Sequence, residues 1–114
     1  MEAKAAMSRS PQNRWRVAAG WALAGTLLVE AVTVALRLGT GMSGAEFCRT
    51  TPLCVQIHHM FWSLPLFLIV PLAWRSPRWS GALLGIGLGL VASDLLHHFV
   101  VLPLWVGNTG WHWP

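Results

Sequence analysis

The sequence predicts an all-α integral membrane protein with three transmembrane helices, a cytoplasmic N-terminus and a C-terminus outside. Two observations predict this class. Apolar residues make up 54% of the 114 residues and charged residues only 11%, whereas about 25% of a soluble domain is charged. Three apolar runs, over residues 17–38, 53–74 and 80–106, each reach the length of about 20 residues that a membrane-spanning helix needs.

The basic residues predict the orientation. Most of them precede the first run or lie between the second and the third: Lys4, Arg9, Arg14, Arg16, Arg75 and Arg78. Only Arg37 and Arg49 fall on the other side, and cytoplasmic segments carry the excess of Lys and Arg. The net charge of +4 thus reflects the ends of the spans and does not indicate a nucleic-acid partner. We expect a multi-pass protein of a bacterial-type inner (plasma) membrane, with the lipid bilayer as its surroundings.

The chain divides into a flexible polar tail, residues 1–13, and one transmembrane domain, residues 14–114. The predicted elements of this domain are helices at about 15–38, 53–74 and 79–106, with an outer loop at 39–52. Pro65 is expected to kink the second helix. Tryptophans mark both membrane interfaces, with Trp105, Trp111 and Trp113 at the outer one.

Two cysteines, Cys48 and Cys54, enclose a short segment at the outer loop. If this loop lies outside, a disulfide is the favoured interpretation of the pair. Metal ligation by both thiolates is the alternative, although structural zinc sites more often have closer spacing.

Glycines at every fourth position line one face of the third helix: Gly81, Gly85 and Gly89. Such small-xxx-small spacing is typical of close helix packing in membranes. The face lies nearly opposite the one that carries Asp94, His97 and His98 at about 100° per residue. Because three helices offer little to cover both faces of one helix, we expect the glycine face to contact another protomer of a homo-oligomer or a subunit of a larger complex.

Ionisable side chains gather at one level of the predicted membrane. Their positions in the three helices and the tail place them in the outer half: Glu30, His58, His59, Asp94, His97, His98 and His112. Intramembrane groups of this kind are costly and usually functional. Each also has a structural interpretation. Glu30, for example, could be a protonated acid that is hydrogen-bonded to Thr26 or Thr33.

Imidazoles and carboxylates together favour a transition-metal site, with iron, copper or zinc as the candidates and one or two ions bound. A carboxylate-x-x-His pair, Asp94 and His97, together with Glu30 from another helix is similar to the ligand pattern of di-iron bundles. One histidine of each doublet should be the stronger ligand, since adjacent rings point in different directions. The five-residue run from Asp94 to His98 resembles a single histidine box of the membrane desaturases and hydroxylases, which are larger chains with several boxes.

These residues lead to one principal hypothesis and two alternatives. The principal one is a membrane metal-binding protein with its site at the outer (periplasmic) side, acting as a non-haem metal oxidoreductase on a lipophilic substrate. The first alternative is an electron-transfer subunit that binds haem b or another tetrapyrrole through one histidine of each helix. The second is a small accessory or assembly subunit of a larger membrane complex.

Overall fold

The computed structural model describes residues 11–42, 46 and 58–111, and the regular secondary structure within them is helical. This confirms the prediction of an all-α chain. Two long helices alternate with short helices and tight helical turns: α1 (Pro11–Thr40), a 3₁₀ segment (His59–Trp62), α2 (Ser63–Ile69), a second 3₁₀ segment (Val70–Ala73), α3 (Pro77–Leu96), a π-helical turn (His97–Val101) and α4 (Leu102–Val106).

Two helical stretches have the length and composition of membrane spans. They are Gln12–Thr40, with 29 residues, and Pro77–Val106, with 30 residues. The stretch between them, His59–Ala73, is apolar but shorter, and residues 53–57 of the predicted second helix lie outside the described part. Two of the three predicted spans are therefore long enough, and the three-span topology stays a prediction.

The positions of the two prolines in the helical elements differ from the expectation that Pro65 kinks a long helix. Pro65 is the third residue of α2, in the first turn, where a backbone N–H has no partner within the helix and its absence costs little. The breaks in regularity are the 3₁₀ segments on either side of α2, and Pro71 lies in the second of them.

The N-terminal ends of α1 and α3 are joined by Arg14. Its Nε donates to Ser80 Oγ at 2.8 Å and its Nη2 donates to the Trp74 carbonyl at 2.6 Å. The guanidinium also lies over the Trp74 ring, 3.7 Å from the ring centroid. Ser76 caps α3 by accepting the Trp79 N–H at 3.4 Å. Arg14 is buried, and its contacts fix the start of α1 against the turn that precedes α3.

The glycine face of α3 packs against α1 of the same chain. A Cβ on Gly81 would lie 2.6 Å from the Arg14 carbonyl oxygen, and one on Gly89 would lie 3.0 Å from the Ala22 carbonyl oxygen. At Gly85, a Cβ would overlap the carbonyl oxygen of Ala18. The assignment of this face to another protomer or a partner subunit is therefore corrected, while the homo-oligomer or larger complex itself stays a prediction. It is already covered, because the absence of side chains lets α1 approach the α3 backbone.

A fourth glycine, Gly87, serves the contact with α2. A Cβ there would lie 2.5 Å from Cε1 of Phe67. Helix α3 is thus covered on one side by α1 and on another by α2, and it forms the centre of the described structure. The end of α3 that carries Asp94 is therefore held between residues from the other two elements.

The helix geometry changes after Asp94. Leu102 donates its N–H to the His97 carbonyl, five residues back, which defines a π-helical turn. Pro103 follows and has no N–H to donate to the Phe99 carbonyl. Such turns are rare and occur frequently at functional sites. Here the turn carries His97 and His98.

Candidate metal centre

Three side chains converge at the end of α3: His58 just before the first 3₁₀ segment, Asp94 in the last turn of α3 and His98 in the π-helical turn. Their ligand atoms all lie within 4.8 Å of one another. His58 Nδ1 is 3.1 Å from His98 Nε2 and 3.4 Å from Asp94 Oδ2. His98 Nε2 is 3.8 Å from Asp94 Oδ1.

These separations fit a shared metal ion. Nitrogen and oxygen ligands lie about 2.1 Å from zinc, so two ligands at a tetrahedral angle are about 3.4 Å apart. The observed distances of 3.1, 3.4 and 3.8 Å span that value. The His58–His98 contact also fits a hydrogen bond between the two rings, and the two interpretations differ only in whether His58 Nδ1 carries a proton.

The Asp94 carboxylate is the most unusual group of the site. It is 1% exposed, and neither oxygen accepts a hydrogen bond from the described part of the chain. His59 Nδ1 at 3.2 Å and His58 Nδ1 at 3.4 Å are within ion-pair distance but are not aligned for hydrogen bonding. Burying an ionised carboxylate costs several kcal/mol, of the order of 5, and a bound cation would offset this cost.

The tautomer of His98 is set by its other ring nitrogen. Nδ1 lies 2.8 Å from the carbonyl oxygen of Thr109, and a carbonyl only accepts. Nδ1 therefore carries the proton, and Nε2 of the neutral ring presents its lone pair to His58 and Asp94. A histidine that ligates a metal usually donates its second N–H to a carbonyl or carboxylate in this way.

His59 lies beside the three converging residues. Its Nδ1 is close to Asp94, and its Nε2 is buried without a hydrogen bond to any described residue. The ring lies within ion-pair distance of the carboxylate but outside the group of three whose ligand atoms converge.

Glu30 and His97 form a separate pair between α1 and the π-helical turn. Glu30 Oε1 lies 2.8 Å from His97 Nδ1. Glu30 is not bonded to either threonine considered from the sequence, since its Oε1 meets His97; Thr26 and Thr33 each donate to a carbonyl four residues back. Its Oε2 is buried and has no hydrogen bond within the described residues.

Two of the site's neighbours were not found from the sequence. The ring of Trp111 stacks on His58, with 3.8 Å between centroids and 14° between planes, although it was expected at the outer interface. Thr109 supplies the carbonyl for His98. The sequence signal for these contacts was the run of turn formers from Gly107 to Gly110, which favours a turn of the chain after α4.

The structure thus divides the predicted cluster into two parts. It brings together His58, His59, Asp94 and His98, and it places Glu30 with His97 next to them. The rings of His97 and His98 are perpendicular, as expected for a doublet. His112, Cys48 and Cys54 lie outside the described residues, so their predicted roles stay predictions.

Comparisons of the chain with known protein families, with characterised proteins and with solved structures find no match. The chemistry of the site itself is therefore the basis for a functional conclusion.

Proposed function

We propose that this protein is a membrane metal-binding protein whose centre is formed by His58, Asp94 and His98, and that it works as a non-haem metal oxidoreductase on a lipophilic substrate. One observation carries the proposal. The Asp94 carboxylate is buried without a hydrogen bond from the described residues and faces two imidazole nitrogens.

The ligand set favours iron among the candidate metals. Two histidines and one carboxylate with open positions are typical of non-haem Fe(II) oxygenases. Zinc accepts the same ligands in catalytic sites but has no redox chemistry. Copper(I) prefers thiolate and thioether sulfur, and the three converging atoms are nitrogen and oxygen. Bound iron would supply the redox chemistry, while the three residues hold it and leave other positions open to substrate.

A membrane location is supported by the distribution of polarity. The fully buried side chains include Asp94, Ser63, Ser80 and Ser93, whereas large apolar residues are exposed. Leu72 and Leu104, for example, are 85% and 84% exposed. A soluble protein rarely exposes large apolar patches, whereas lipid would cover them.

We further propose that the chain crosses the membrane three times, with the N-terminus in the cytoplasm. The stretch His59–Ala73 contains two 3₁₀ segments and one α-helix, and at about 2.0 and 1.5 Å per residue these extend about 26 Å. This length approaches the hydrocarbon thickness of about 30 Å. The metal centre then lies in the outer half of the bilayer.

A lipophilic substrate is favoured by the surroundings of the centre. Phe99 adjoins His98 and is 55% exposed, and Trp62 lies in the same 3₁₀ segment as His59 and is 52% exposed. Both side chains lie close in the chain to histidines of the site, and lipid would contact their exposed surfaces. A substrate dissolved in the bilayer would reach the centre without crossing water.

The geometry disfavours the haem alternative for this pair of histidines. A haem held by one histidine from each element would need its macrocycle between the two ligating nitrogens. His58 Nδ1 and His98 Nε2 are only 3.1 Å apart, and Trp111 is stacked on His58. No plane for a macrocycle lies between the two rings.

The test is the metal content of the Asp94→Asn variant, purified in mild detergent and reconstituted anaerobically with Fe(II). We expect the wild type to retain one ion per chain and the variant to lose affinity by more than about 100-fold, since even residues outside the first ligand shell cost 10- to 100-fold. At a metal concentration of about 100 times the wild-type dissociation constant, the wild-type free energy of unfolding should rise by about 2.7 kcal/mol, and that of the variant by less than about 0.4 kcal/mol.

His97→Gln is the matched control, because it changes the neighbouring histidine and keeps a hydrogen-bond donor for Glu30. It should retain the ion. Equal metal content in the wild type and Asp94→Asn, or a wild type that neither retains nor rebinds a metal, would refute the metal centre. A centre that accepts only zinc would preserve the site and refute the oxidoreductase.

A further inference from the structure

The chain turns back over the metal centre after α4. Gly107 and Gly110 have φ angles of +79° and +55°, a left-handed backbone that glycine adopts without strain. Between them, Asn108 Oδ1 accepts the N–H of Gly110 at 3.0 Å, and the Trp111 N–H donates to Thr109 Oγ1 at 3.4 Å. Residues 107–111, called the strap below, therefore form a turn with its own hydrogen bonds.

The strap touches both histidines of the centre. The Thr109 carbonyl accepts from Nδ1 of His98 at 2.8 Å. Trp111 lies flat on the His58 ring and meets the His98 ring edge-on, with centroids 5.1 Å apart and planes at 81°. Thr109 thus contacts the protonated nitrogen of His98, and Trp111 lies parallel to the ring of His58.

We propose that the strap is a positioning element for the metal centre: Thr109 holds His98 in the tautomer whose Nε2 ligates, and Trp111 holds the His58 ring in its ligating orientation. This inference rests on the proposed metal binding. Neutral imidazole has two tautomers, and a proton on Nε2 would block ligation until it moved. A carbonyl at Nδ1 removes that step, and a stacked indole prevents the His58 ring from rotating away.

The position of Gly110 offers a way to displace the strap without changing a histidine. A Cβ there would lie 2.7 Å from Cδ1 of Leu102, and the positive φ is strained for any other residue. Gly110→Ala should therefore move the Thr109 carbonyl and Trp111 away from the rings. Gly20→Ala is the matched control, because a Cβ there has no atom within 4 Å among those described and φ is not positive.

The first measurement is ¹⁵N NMR of the histidine side chains in the metal-free, full-length protein in detergent micelles. The His98 signals are assigned by comparison with His98→Gln. We expect the Nδ1–H tautomer for His98 in the wild type and in Gly20→Ala, and a tautomer mixture in Gly110→Ala. An unchanged spectrum in Gly110→Ala, or an Nε2–H tautomer in the wild type, would overturn the role of Thr109.

The second measurement is the affinity for Zn²⁺, a redox-inert probe, and its rate of loss to an added chelator. Gly110→Ala and Trp111→Ala should bind about 10- to 100-fold more weakly, as for other residues that orient metal ligands. Trp111→Phe should recover most of the loss, because a phenyl ring also stacks. Equal affinities and rates in all variants would overturn the role of Trp111.

The two proposals fail in different ways. A wild type that binds no metal but has His98 in the expected tautomer refutes the proposed function and leaves the contact made by Thr109 intact. A wild type that binds metal with affinity independent of Gly110 and Trp111 refutes the strap and leaves the metal centre intact.

Discussion

Arg14 and Asp94 are both buried ionisable residues at opposite ends of α3: Arg14 of α1 lies against the start of α3, and Asp94 lies in its last turn. Arg14 is satisfied by Ser80, by the Trp74 carbonyl and by the Trp74 ring. Asp94 has no hydrogen bond from the described residues. Because a buried charge without partners is costly, a satisfied charge is consistent with a structural role, whereas an unsatisfied one marks the place where a ligand would be stabilising.

The structural role of Arg14 is testable with Arg14→Lys. Lysine keeps the charge but lacks the planar fork that reaches Ser80 and Trp74 together. We expect the free energy of unfolding to fall by about 2 kcal/mol, the scale of one charged hydrogen bond, as measured by denaturant titration in detergent. Arg16→Lys is the control, because Arg16 is exposed and its replacement should change stability by less than about 0.5 kcal/mol. Equal stabilities for the two variants would contradict this role.

At the residue scale, the sequence identified the candidate ligands but not their partners. The spacing of Asp94 and His98 places both on one helical face, and the 3.8 Å approach of His98 Nε2 to Asp94 Oδ1 agrees. That His97 would instead pair with Glu30, and that Thr109 would accept from His98, depends on α1 and the strap. No local pattern contains that information.

At the scale of elements, α3 is the helix on which the others are assembled. Its glycines allow α1 to approach on one side and Phe67 of α2 on another. The spacing of the glycines correctly predicted that this face of α3 is closely packed. It assigned the wrong partner, since periodicity within one helix does not specify which surface covers it.

Gly85→Ala tests the contact between α1 and α3. The added methyl group would overlap the carbonyl oxygen of Ala18, so the helices must separate. Overpacking of this kind costs about 1–3 kcal/mol, and we expect a fall of that size in the free energy of unfolding in detergent. Gly20→Ala should leave stability unchanged or slightly higher. A Gly85→Ala protein as stable as the wild type would show that this contact is not formed as described.

At the scale of the whole molecule, several polar side chains are buried and many large apolar side chains are exposed among the described residues. The buried polar and charged residues outnumber the buried hydrophobic ones among those described, the reverse of a soluble core. Without lipid, the exposed apolar faces of α1 and α3 would have no favourable environment. The proposed bilayer location accounts for this distribution.

The proposed topology predicts the result of fusion experiments. Alkaline phosphatase, which is active only outside the cytoplasm, should be active when fused after Pro114 and inactive when inserted at Arg75. Green fluorescent protein should show the opposite pattern. Fluorescence from the C-terminal fusion would contradict three crossings with a cytoplasmic N-terminus, and it would also move the metal centre to the inner half of the membrane.

The sequence by itself determined the helical class, two long apolar helices and the set of side chains that includes the centre, because these follow from local composition and periodicity. Only the tertiary structure decided that α1 covers the glycine face, that Glu30 pairs with His97, and that residues 107–111 contact His58 and His98. The reason is physical. Which atoms meet across elements depends on the approach of helices and on single backbone angles, such as those of Gly107 and Gly110, and these are set by packing rather than by spacing along the chain.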